Sequence, residues 1–122
     1  DLVIVPMQPT ALDAEIGSEA LALIREEEEA LGRKIRHAVV LTKTSAAVKS
    51  RVQKELEEQL RGAGVDVIEP SLVARAAFSE LFAVGGDLTA MMADPNVVTG
   101  GKVDKALENA RAFAEAVYER LK

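Results

Sequence analysis

With 122 residues, 48% of them hydrophobic and 29% charged, the chain is long enough for one domain with a core of its own and has the composition of a soluble globular protein. No cysteine and a single histidine exclude disulfides, thiolate chemistry and the usual structural zinc sites. A net charge of −5 and 3% aromatic residues argue against strong non-specific nucleic-acid binding and against a base-stacking surface, unless the basic residues cluster.

The first element is "LVIVP" at 2–6, a continuous apolar run rich in β-branched residues, as expected of a strand buried on both faces. Thr10 and Asp13 form a short capping box, and a helix follows to about Leu31, with Leu12, Ile16, Ala20, Leu23 and Ile24 as its apolar stripe and Gly32 as its stop. "HAVVLT" at 37–42 is the second strand. Thr44 or Ser45 caps the next helix, about 46–63, whose apolar residues Val48, Val52, Leu56 and Leu60 recur every fourth position. On its wet face Lys54 and Glu58, and Glu57 and Arg61, stand four apart as ion pairs. "VDVIEP" at 65–70 reads as the third strand, ended by Pro70.

"SLVARAAFSELFAVGG" then predicts a helix over 71–84, with Ser71 as N-cap and Gly85 or Gly86 as stop. Only Arg75 and Glu80 are charged in it, so it belongs to the core or lies under a partner. A short turn "DLTAMM", a loop "ADPNVVTGG" and a final helix over about 102–121 complete the chain. The apolar stripe of that helix runs through Val103, Ala106, Leu107, Ala110, Phe113, Ala114, Val117, Tyr118 and Leu121.

The order β-α-β-α-β-α-α predicts parallel strands joined by right-handed crossovers, an α/β fold. Three strands are few for such a sheet, and the first would show a bare apolar edge. No apolar stretch approaches the ~20 residues of a membrane span and no signal-peptide pattern is seen, so a cytoplasmic setting is expected.

Motifs of phosphate chemistry are weak. "TGGKVDK" at 99–105 holds the one Gly-Gly-Lys, but it lacks the first glycine and the Ser/Thr of a P-loop, and no strand precedes it. "REEEEALGRK" at 25–34 reads as a solvated helix end, because consecutive helical carboxylates point in different directions. His37 has no Ser, Cys or Asp at a diagnostic spacing. The carboxyl ends of the strands are richer, and ligands of open α/β sheets bind there. They bring Gln8, Thr10, Asp13, Thr42, Lys43, Thr44 and Ser71 to one rim.

Three segments in order carry a family resemblance. "DLVIVPMQPTALDAEIGSEAL" resembles the strand, the P-x-x-P-[ST]-x-x-D turn and the helix that follow the Walker B strand in ParA-type, deviant-Walker P-loop ATPases. "HAVVLTKTSAAVKSRVQKELEEQL" resembles their next strand and helix, and "VDVIEPSLVARAAFSELFAVGGDL" their adenine-side loop and R-x-A-F…G segment. The likeness covers nearly the whole chain and is greatest to the plasmid-partition and VirC-like branch.

The resemblance implies that residues 1–122 are one α/β unit, the C-terminal half of a three-layer P-loop ATPase domain whose N-terminal half lies outside this sequence. The full-length protein would bind ATP and Mg²⁺, dimerise around ATP, and position plasmid or chromosome DNA or another cytoplasmic cargo through a centromere-binding adaptor. The Walker A and Walker B motifs have no counterpart here, so this stretch alone is expected neither to hold a cofactor nor to hydrolyse ATP. By resemblance, Thr42, Lys43, Glu69, Pro70 and Ser71 would line the adenine side, Gln8 and Asp13 would face the nucleotide and dimer partner, and Lys49, Arg51 and Arg75 lie near DNA-binding positions. The alternative is a non-catalytic α/β module that assembles through its exposed sheet edge.

Overall fold

The computed structural model describes residues 1–93 and 103–122, so the Gly-Gly-Lys and most of the loop read from the sequence lie outside the described residues. The elements are β1 (Val3–Met7), α1 (Ala11–Leu31), β2 (His37–Thr44), α2 (Arg51–Gly62), β3 (Leu72–Val73), α3 (Ala76–Val84), α4 (Leu88–Ala93) and α5 (Val103–Leu121). The strands form one parallel sheet in the order β1-β2-β3, and β1 stands at its edge.

Both crossovers step the same way along the sheet, and right-handed crossovers then place α1 and α2 on one face. Leu21, Leu56 and Leu60 accordingly pack there on Val5, Met7, Val39, Leu41, Val65 and Val67. On the other face Phe113, Ala116 and Val117 of α5 cover Ala38, Val40 and Ile68. β2 is therefore buried on both faces, which its continuous apolar run requires. A third cluster joins α3, α4 and α5 through Ala77, Leu88, Met91 and Ala106.

Several expectations need correction. The buried face of α1 is turned from the predicted stripe. Gly17 and Leu21 are buried and Ala14, Ala20 and Ile24 pack beside them, while Leu12, Ile16 and Leu23 are 67%, 55% and 58% exposed. The cause is Gly17: a methyl group there would run into the Met7 side chain, so the helix lies on the sheet at its glycine.

α2 starts at Arg51, capped by the Ser50 hydroxyl on the Gln53 amide at 3.1 Å, and not by Thr44 or Ser45. Thr44 is still in β2. The later start removes Val48 from the helix and leaves Val52 in its first turn, both exposed, while Gln53 and Glu57 are buried with Leu56 and Leu60.

The third strand also lies later than read. Residues 65–70 pair with the β2 backbone only through a bridge at Val67, with Val39 N–H donating to the Asp66 carbonyl and Ile68 N–H donating to the Val39 carbonyl, 2.8 Å each. The paired strand is Leu72–Val73, where a helix was expected, and α3 begins at Ala76 after Arg75. "DLTAMM" opens a helix, α4, rather than a turn. α3 is covered on one side through Ala77, Phe78 and Leu81, whereas Phe82 is exposed.

Candidate functional site

The carboxyl end of β2 is irregular in a way that shapes a cavity. Thr42 is opposite Leu72 and Thr44 opposite Val73, so Lys43 is an extra residue in β2, a bulge. Its φ of 52° is left-handed, a conformation that lysine adopts at some cost and that collects at binding sites. Below the bulge opens a cavity of about 470 Å³, lined by Thr42, Lys43, Leu72, Val73, Ala74, Arg75, Ala76, Phe78 and Ser79. Its walls are mostly apolar with two cationic side chains and two hydroxyls, the usual make-up of a small-ligand site. Arg75 Nε is buried and has no hydrogen-bond partner among the described residues. An unmet charged donor beside a cavity is costly, and an anionic group or a hydrogen-bond acceptor would relieve it.

The cavity wall is fastened from behind. Ser71 Oγ and Thr44 Oγ1 share a hydrogen bond of 2.8 Å. Asn109 of α5 donates from Nδ2 to the Ser71 carbonyl and accepts from the Val73 amide, both at 2.8 Å. One side-chain amide thus supplies the two bonds that a further strand would give the outer edge of β3.

The structure separates the residues that the sequence brought to one rim. Thr42, Lys43 and Arg75 line the cavity. Ser71 is behind the wall, bonded to Thr44. Glu69 points to Arg61, 2.6 Å away on the surface, and Pro70 is exposed beside it. Gln8 and Asp13 are bonded to each other in the turn after β1, where the Asp13 carboxylate accepts from the Gln8 backbone N–H at 2.8 Å while the Thr10 hydroxyl accepts from the Asp13 backbone N–H at 3.1 Å. Lys49 folds back over α2 to Glu57, 2.9 Å, and Arg51 pairs with Glu55 at 2.9 Å.

Leu72, Val73, Phe78 and Ser79 have no site signal in the sequence, because 71–84 reads as one helix. Asn109 does carry a signal in the sequence, as a polar residue between Ala106 and Ala110 on the buried stripe of α5. The strongest charge perturbation is elsewhere. Arg120 donates to both Asp66 oxygens at 2.7 and 2.9 Å, and this holds the Asp66 carboxyl below its ordinary range against partial desolvation. Among the described residues no cluster of three His, Cys, Asp or Glu is placed to hold a metal ion, and no helix is long and apolar enough to cross a membrane.

No protein-family model matches the chain. Over 121 residues, 99% of its length, the chain is 48% identical to a protein named Protein ParA from Rhizobium radiobacter. It spans about half of that relative, 52% of its length.

Proposed function

We propose, from the premise that this chain is a ParA homologue along almost all of its length, that it is the C-terminal part of a cytoplasmic ParA-like ATPase that dimerises on ATP and partitions plasmid or chromosome DNA or another cargo. The 48% identity carries the reading, because it runs through the whole chain and not through one motif. The site geometry supports it. A mostly apolar cavity at the carboxyl ends of parallel strands suits a flat base, with Thr42, the Lys43 bulge, Leu72 and Phe78 in its lining. Gln8, Asp13, Glu69, Pro70 and Ser71 do not line the cavity and in this reading shape the loops around it.

Phosphate and Mg²⁺ would be held by a P-loop half preceding β1. The free edge of β1 is where strands of that half would pair. Pro6 breaks the row of donors in β1, but Ile4, on the same strand, keeps its amide. The same free edge is the observation that favours the alternative reading, an interaction module that pairs through β1 and binds no nucleotide.

The test is made on a protein that joins this chain to the half its relative possesses. ATP binding and ATP-dependent dimerisation are measured by light scattering, with Lys43→Glu and Phe78→Asp as cavity variants. The reading expects dimerisation with ATP and its loss in both variants. A joined protein that neither binds ATP nor dimerises with it refutes the reading, and dimerisation indifferent to ATP favours the alternative.

A further inference from the structure

One flank of α1 carries an apolar row that nothing among the described residues covers. Leu12, Ile16 and Leu23 are each more than half exposed. At about 100° per residue they fall within about 40° of one another around the helix, so they form one row rather than a scatter of single exposed residues.

The other sides of α1 are taken. Gly17 and Leu21 lie on the sheet. Ala14, Ser18 and Ala22 line a groove shared with Leu56 and Leu60 of α2. The apolar row is about 140° round the helix from that groove, on the flank turned away from α2. The sheet runs β1-β2-β3, so this flank is on the side of the free edge of β1. Val3 of β1 extends the row: by alternation it shares the face of Val5 and Met7, but it is exposed where those two are buried.

Charge narrows what can cover the row. α1 holds seven Asp and Glu residues and one Arg, and the exposed Glu19 and Glu26 border the row at spacings of three and four. A second copy docked through the same row would set seven carboxylates against seven. A helix with an apolar inner face and Lys or Arg on its flanks would meet them with opposite charge.

Topology supplies such a helix. A parallel strand paired with the free edge and leading into β1 steps along the sheet in the same direction as β1 to β2 and β2 to β3. Its right-handed crossover then lies on the face that carries α1 and α2. We propose that the row on α1 is the docking site of an amphipathic, cation-flanked helix of the same polypeptide, the one that leads into β1. This rests on the reading above, in which a P-loop half precedes β1, and the relative, of which the chain spans 52%, is long enough to hold it.

The test is made on the joined protein without nucleotide. The chain has no cysteine, so with any cysteine of the added half replaced by serine, Ile16→Cys, Leu23→Cys and Glu15→Cys each offer one thiol to a chromogenic disulfide reagent. Ile16→Cys and Leu23→Cys are expected to react about tenfold or more slowly than in the urea-unfolded protein, and Glu15→Cys within about threefold of it. Circular dichroism confirms that each variant is folded, and Leu12→Cys stands in for one that is not. In a second measurement the double variant Ile16→Ala, Leu23→Ala is expected to lower the urea midpoint by about 1 M. Alanine is the better helix former, so on an uncovered flank the same change would leave the midpoint unchanged or raise it.

Reaction of both buried-site thiols within about threefold of the unfolded rate, or a double variant with an unchanged or raised midpoint, overturns the proposal. Protection that disappears on dilution assigns the row to a second copy and overturns it as well. A joined protein that binds no ATP but keeps both thiols protected refutes the functional reading and supports the docking site. One that dimerises with ATP while both thiols react freely overturns the docking site alone.

Discussion

Replacing Asn109 with alanine tests whether one side chain on α5 holds the wall of the strand-end cavity. Asn109 makes two hydrogen bonds of 2.8 Å, to the Ser71 carbonyl and from the Val73 amide, at a half-buried position. Each bond contributes about 1 kcal/mol net, and an amide left without a partner costs about 1–3 kcal/mol. A loss of about 2–3 kcal/mol follows, which for a chain of this size lowers Tm by roughly 6–12 °C. Asn109→Asp separates the two bonds. It keeps an acceptor for Val73 but sets a carboxylate oxygen against the Ser71 carbonyl, so it is expected to be no better than alanine. Urea unfolding gives the stability, and hydrogen exchange at Val73 reports the bond itself. Asn109→Ala within about 0.5 kcal/mol of the unchanged chain, with the Val73 amide still protected, would refute the argument.

Three further outcomes follow from other contacts. The Asp66 carboxyl lies below its ordinary value of 3.8 because Arg120 donates to it, so its contribution is complete above that value and is lost as pH falls through the lowered one. The pair is partly exposed, so Asp66→Asn is expected to cost less than about 1 kcal/mol at pH 7 and to flatten acid unfolding below about pH 4. Lys49→Met removes the closest cation of Glu57, whose side chain is 8% exposed, and leaves Arg61 4.0 Å away; a loss of about 1–3 kcal/mol is expected, with less in Glu57→Gln, read by urea unfolding of the single and double variants. Gly17→Val drives two methyl groups into the Met7 side chain under α1 and is expected to cost about 1–3 kcal/mol, whereas pairing it with Met7→Ala is expected to recover part of that loss.

What the residues decide by local rules was legible in them. The apolar runs at 2–6 and 37–42 fall in strands, Val3–Met7 and His37–Thr44, Gly32 ends α1 in a left-handed turn with its amide on the Glu28 carbonyl at 2.9 Å, and Thr10 caps that helix. Capping, β-branching and helical period act over a few residues, so the chain states them directly. The ordered likeness to ParA-type proteins was likewise in the sequence.

What depends on contacts between distant residues was not legible. Both Leu12/Ile16/Leu23 and Gly17/Leu21/Ile24 have helical spacing, and only the fit of Gly17 onto Met7 selects the second set for burial. Segment 71–84 has helix-forming composition throughout, yet 72–73 pairs with β2 because Thr44 and Asn109 hold it on its two sides. The bulge at Lys43 exists only where β2 meets β3. Periodicity names the residues able to face a neighbour; the shape of the neighbour chooses among them.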